Sequence, residues 1–119
     1  MKKTWGKHLI IDVYGIKKEK LEDRKAIKKL LLGLPMEFKM RPLRQPVVAK
    51  VSSDKYHDWG VSGFVMLYES HISLHTWPSD GYLAMDIYSC KDFNDKEIVK
   101  YLKKYWSCEK IKVKTITRG

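Results

Sequence analysis

At 119 residues the chain has room for one compact domain and none for a multidomain catalyst. Hydrophobic residues make up 44% of it, enough for a real core, and its apolar stretches fall well short of the roughly 20 residues that span a bilayer. The net charge of +10 fits either a solvated lysine coat or a nucleic-acid partner, and the coat is the better-favoured reading. The opening Met1-Lys2-Lys3-Thr4-Trp5 runs into Gly6-Lys7-His8 rather than an apolar segment, so no signal peptide and a cytoplasmic home are expected. Two cysteines, Cys90 and Cys108, are too few for a disulfide framework, and a reducing compartment would keep both as thiols.

The first predicted element is a strand over Leu9-Ile10-Ile11-Asp12-Val13-Tyr14, closed by Gly15. A helix is predicted from about Lys18 to Leu32, with Leu21, Ile27, Leu30 and Leu31 on its apolar side and Gly33 and Pro35 as its stop. Residues 36–51 have β character interrupted by Pro42 and Pro46, which argue for an edge position or a break. Ser52 to Gly60 reads as an ordered loop carrying the aromatics Tyr56 and Trp59. Three strands follow, Ser62 to Tyr68, Ile72 to Trp77 and Tyr82 to Ser89, with a turn at Pro78-Ser79-Asp80-Gly81. Asp92 and Asn94 are candidate caps for a second helix bearing Ile98, Tyr101, Leu102 and Tyr105, and Ile111, Val113 and Ile116 suggest a last strand.

This order predicts a single α+β domain, a two-layer sandwich with two helices on one face of a mostly antiparallel sheet. Tyr82, Ala84 and Tyr88 alternate on the other face, which needs a cover. The economical cover is a second copy of the chain, giving a dimer through the sheets.

Ser62, Glu69, Ser70, His71, Ser73, His75, Asp86 and Cys90 crowd into the predicted sheet. Buried unpaired polar groups cost about 1–3 kcal/mol each, so the cluster is either a satisfied hydrogen-bond network or a site. A zinc pair at His71 and His75 fits poorly, because four residues of strand span about 13 Å. A serine hydrolase fits poorly too, since no Gly-x-Ser-x-Gly elbow is present. A cysteine nucleophile at Cys90 paired with His75 stays open on spacing alone.

The run Gly60-Val61-Ser62-Gly63, continuing through Glu69-Ser70-His71-Ile72-Ser73-Leu74-His75-Thr76-Trp77-Pro78 to Asp86-Ile87-Tyr88-Ser89-Cys90, resembles the core of the short prokaryotic S-adenosylmethionine decarboxylases. The resemblance implies a proenzyme that cleaves itself between Glu69 and Ser70 into residues 1–69 (β chain) and 70–119 (α chain). Ser70 would become a pyruvoyl group, so no metal and no pyridoxal phosphate is implied. Carried over by position, Ser62 and His75 are implied as processing residues and Cys90 as the proton donor of the decarboxylation. Trp77 is implied to hold the adenine, with Tyr56 or Trp59 as a second plane from the partner subunit. Where the family carries a ribose-binding glutamate this chain has Ser79, and Asp80, one place later, is the expected replacement. The resemblance further implies a homodimer with shared active sites, with association of two dimers left open. It supports polyamine biosynthesis as the setting. The alternatives are a pyruvoyl-dependent L-ornithine or L-arginine decarboxylase and, in another class, a basic nucleic-acid-binding α+β module.

Overall fold

The computed structural model of the chain describes residues 5–53 and 58–119. Six strands, β1 (Gly6–Tyr14), β2 (Val47–Ser53), β3 (Asp58–Leu67), β4 (Ser70–Trp77), β5 (Tyr82–Ser89) and β6 (Lys110–Arg118), form one antiparallel sheet in the order β2-β3-β4-β5-β1-β6. Strands β2 to β5 are a meander, in which each strand pairs with the next. The first strand then inserts between β5 and the edge strand β6, so the start and end of the chain are paired along nearly their whole lengths.

The helices are α1 (Lys18–Leu21), α2 (Arg24–Glu37) and α3 (Asp95–Trp106). The single helix expected from Lys18 to Leu32 is two, because the Asp23 side chain accepts hydrogen bonds from Lys25 N and Ala26 N and restarts the helix there. The restarted helix runs past Gly33 and Pro35. Pro35 lies in its last turn, where one lost amide bond does not break what precedes it. Residues 36–46 are therefore a helix end and an irregular connection, not strand. The break anticipated from Pro42 and Pro46 is real, and β2 after it is an edge strand. Asn94 caps α3 by accepting from Lys96 N and Glu97 N.

Pleat alternation sends Leu9, Ile11 and Val13 of β1, Val61 and Val65 of β3, Ile72 and Leu74 of β4, and Leu83, Met85 and Ile87 of β5 to one face. Ile27, Leu30, Leu31 and Leu34 of α2, with Ile98, Leu102 and Trp106 of α3, close over them, giving the expected two-layer α+β sandwich. Tyr105 ties the helices together by donating its hydroxyl to the Ala26 carbonyl at 2.5 Å. The opposite face carries no helix. Val47, Val51, Phe64 and Met66 are exposed there, and the Tyr14, Tyr82 and Trp77 rings stack in series.

Two glycines of β3 are dictated by what lies over them. A Cβ at Gly63 would press into the Leu31 side chain, so α2 sits close there. A Cβ at Gly60 would overlap the backbone carbonyl oxygen of Thr76 in the paired strand, which cannot swing away as a side-chain tip can. Gly60→Ala is thus expected to lower stability by about 1–3 kcal/mol. Denaturant unfolding monitored by tryptophan fluorescence checks this, and an unchanged midpoint would contradict it.

Candidate active site

The sharpest local feature is the β3–β4 hairpin. Leu67 pairs with Ser70, so only Tyr68 and Glu69 make the turn, and Glu69 closes it with φ at +55°. A side chain in that left-handed region costs free energy, which surrounding contacts must offset. The connection after α2 supplies them: Tyr68 N donates to the Arg41 carbonyl at 3.1 Å, Leu43 N donates to the Met66 carbonyl at 2.8 Å, and the Arg41 guanidinium lies 4.2 Å from the Tyr68 ring centre.

Ser70 is the first residue after this turn, and its side chain lies on the helix side of the sheet. The Cys90 amide donates to Ser70 Oγ at 3.1 Å, and Ser70 Oγ lies 3.4 Å from Ser89 Oγ and 3.7 Å from Cys90 Sγ. Cys90 is exposed, and its thiol reaches toward the Tyr68 carbonyl at 3.9 Å. Ser89, buried at 1% exposure, also accepts from Lys91 N at 3.1 Å. A pocket of about 490 Å³ opens above Ser70, walled by Met36, Met40 and Leu67 and rimmed by Lys39, Arg41 and Lys91. The loop beyond Cys90 is gripped from β1: Lys7 Nζ donates to the Phe93 carbonyl at 2.7 Å and lies 2.6 Å from the Asp95 carboxylate.

Ser62 and His75 form a separate centre. They are opposite each other in the β3–β4 pairing, with Ser62 Oγ and His75 Nδ1 hydrogen-bonded at 2.7 Å. Five residues of β4 separate His75 from Ser70, roughly 16 Å at the rise of a strand, and the odd number sends the two side chains to opposite faces. Within one chain the structure joins Ser70 to Cys90 and Ser62 to His75, but not one pair to the other.

Beside Ser62 and His75 lies a pocket of about 230 Å³ whose walls include Trp59, Trp77 and Asp58. The Asp58 carboxylate accepts from the Ser79 hydroxyl and from Trp59 N at 2.7 Å, and these bonds, the Ser79 one foremost, hold it below the ordinary carboxylate range. Asp80 is exposed in the 3-10 turn Pro78–Asp80 and does not line this pocket. Tyr56 lies outside the described residues. Two further pairs of polar groups on the open face bond locally. His8 Nε2 and Asp86 are 3.1 Å apart, and Tyr82 donates to Asp12 at 2.5 Å. Burial first, and then the neighbouring His8, push the His71 imidazole below its ordinary pKa, while Asp86 opposes them. Among the described residues no three His, Cys, Asp or Glu side chains gather as a metal-binding group.

Sequence reasoning missed Ser89, Asp58 and the Lys7–Asp95 pair. Ser89 had a readable signal, since it continues the buried series Leu83, Met85 and Ile87 at alternate positions and is the polar member of it. Lys7 and Asp95 are 88 positions apart and become neighbours only through the insertion of β1 beside β5.

Residues 7–119 match the family model described as S-adenosylmethionine decarboxylase. The chain is 40% identical over 115 residues to an S-adenosylmethionine decarboxylase proenzyme of Clostridium botulinum strain Langeland, covering 96% of this chain and 94% of that protein. It is 33% identical over 118 residues to a proenzyme of the same name from Methanococcus maripaludis strain S2, covering 98% and 92%. The fold is similar to the crystal structure of the adenosylmethionine decarboxylase from Aquifex aeolicus VF5, with a TM-score of 0.84 at 27% identity over 99% of this chain and 93% of that one.

Proposed function

The chain belongs to the S-adenosylmethionine decarboxylase family, and from that premise we propose that it is a proenzyme that cuts itself between Glu69 and Ser70 and then removes CO2 from S-adenosylmethionine. The observation that carries this reading is the hairpin at the cut: a non-glycine residue at positive φ, followed at once by a serine whose hydroxyl is fixed by the Cys90 amide. In this reading Ser70 Oγ, held by the Cys90 amide, attacks the Glu69 carbonyl carbon. The C–O bond forms as the C–N bond breaks, and the hydroxyl proton passes to the freed nitrogen. Loss of the Ser70 Cα proton then expels the Glu69 carboxylate and leaves dehydroalanine. Tautomerisation, uptake of water and release of ammonia convert it to a pyruvoyl group, giving chains of 69 and 50 residues from the 119.

The pyruvoyl group supplies an electron sink for the departing CO2, a chemistry that asks for no metal and no pyridoxal phosphate. The rest falls to the chain's own side chains. Cys90 holds a proton at Sγ, close to the position of Ser70, for return to the substrate's α carbon. Trp77 and Trp59 offer flat apolar walls to a purine. That aromatic pocket favours a nucleoside substrate over ornithine or arginine. Polyamine synthesis, which consumes aminopropyl groups, is the fitting use of the product, and a reducing cytoplasm would preserve the Cys90 thiol.

The active unit in this reading is a homodimer with shared sites. Ser62 and His75 act as processing residues only if they reach the Glu69–Ser70 bond, and within one chain they are roughly 16 Å along the strand from it. Open faces packed across a two-fold axis perpendicular to the strands reverse the strand direction. The Ser62–His75 end of one β4 then lies over the hairpin end of its partner's. Exposed Val47, Val51, Phe64 and Met66 are apolar surface that such packing removes from water.

Denaturing mass spectrometry is expected to show the two fragments for the wild type and one intact chain for Ser70→Ala. A wild type that stays full length after prolonged warm incubation would contradict the cleavage. Cys90→Ala is expected to cleave, yet to lose CO2 release by about 10²–10⁴-fold, the usual contribution of a proton-transfer group. Equal loss of cleavage and turnover would show that Cys90 serves processing instead. Phe64→Arg, which sets a charge on the open face without touching the core, is expected to sediment at the protomer mass while the wild type sediments at twice that or more. A wild-type protein that is active as a protomer would contradict the shared site.

A further inference from the structure

Within the aromatic pocket the side chains are nearly all apolar or neutral. Val51, Trp59, Gly60, Thr76 and Trp77 make the walls, and among the described lining residues Asp58 is the one carboxylate. It stands at the start of β3, directly before Trp59, whose own amide donates to Asp58 Oδ1. The Ser79 hydroxyl, from the 3-10 turn that follows Trp77, helps hold the carboxylate in its charged form. The Trp59 amide fixes one carboxylate oxygen, while Asp80 of that turn is exposed and does not line the pocket.

We propose that Asp58 is the residue that recognises the ribose hydroxyls of the substrate. The inference rests on the reading of the substrate as S-adenosylmethionine. A carboxylate offers about four lone-pair sites on two oxygens. The Trp59 amide occupies one, which leaves room for a pair of vicinal hydroxyl donors. Such a pair needs an acceptor-only group with its orientation fixed beforehand, and a charged acceptor makes the stronger bonds. Asp58 is adjacent to one indole and lines the same pocket as the other, so a purine against the tryptophans has its ribose within reach of the carboxylate.

The test uses the processed enzyme and two probes that have no carboxylate to lose, 5′-methylthioadenosine and its 2′,3′-dideoxy analogue, with binding read by calorimetry. The wild type is expected to bind the diol probe more tightly by about 10- to 150-fold, the range for paired hydrogen bonds to a charged group. In Asp58→Asn, which keeps the shape and loses the charge, that preference is expected to fall below about threefold, whereas Asp80→Asn keeps it. Mass spectrometry of each variant, showing cleavage at Ser70, establishes that the protein has folded and processed. An undiminished diol preference in Asp58→Asn would overturn the assignment, as would equal weakening of both probes, which would mean attraction by charge alone. A wild type that cleaves itself yet binds neither probe would overturn the nucleoside reading and this assignment with it. A wild type that binds the diol probe without loss in Asp58→Asn would overturn this assignment only.

Discussion

The pleat of β4 is the constraint on which the rest of the molecule depends. A strand sends successive side chains to opposite faces, and β4 carries Ser70, Ile72, Leu74 and Thr76 on one and His71, Ser73, His75 and Trp77 on the other. Its buried side must hold the core under α2. No shift of register can bring His75 and Ser70 onto one face, because both would flip together and would carry Ile72 and Leu74 out to water at about 1.5–3 kcal/mol for each side chain exposed; only a bulge between them could do so. The fold thus keeps Ser70 and the Ser62–His75 pair apart within one chain. In the proposed dimer a second copy, reversed in direction, would bring the Ser62–His75 pair of one chain over the Glu69–Ser70 hairpin of the other.

The same constraint explains the uneven treatment of the two faces. The helix face is closed by aliphatic side chains and by Thr76, whose hydroxyl accepts from Val61 N and donates to the Leu21 carbonyl. The open face is a mosaic of rings, carboxylates and imidazoles with exposed apolar residues at the β2–β3 edge. Desolvation already raises the Tyr82 phenol well above its ordinary pKa and lowers His71, and in each case the neutral form is the one favoured.

Much of the fold was legible from short-range pattern. Alternation in Tyr82–Ser89, the turn residues Pro78 to Gly81 and the amphipathic spacing of Ile98, Leu102 and Tyr105 each point to the element found. The split of the first helix was legible in principle, since Asp23 stands where a capping side chain restarts the chain, but the apolar spacing runs straight across it. What local pattern could not carry was pairing over long separations. The insertion of β1 between β5 and β6, and with it the grip of Lys7 on the loop beyond Cys90, depends on contacts 68 or more residues apart. For the site, the residue types around Ser70 were evident from the motif, while their partition between two faces required the strand register. Asp58 escaped notice because Ser52 to Gly60 reads as a loop, whereas Asp58 opens β3 and the pocket it lines forms only when β3 pairs with β4.

The central claim is that the residues driving cleavage of one chain come from the other, and it is tested most directly by mixing two inactive chains. Ser70→Ala lacks the nucleophile, and His75→Ala lacks the proton-transfer group. Each expressed alone should remain full length. Co-expressed with distinguishable tags, they form mixed dimers in which the Ser70 of the His75→Ala chain faces the intact His75 of the Ser70→Ala chain. The account predicts that the His75→Ala chain, and not its companion, is then cut at Ser70. Mixed dimers in which the His75→Ala chain stays whole would contradict it, and so would cleavage of that chain when it is expressed alone.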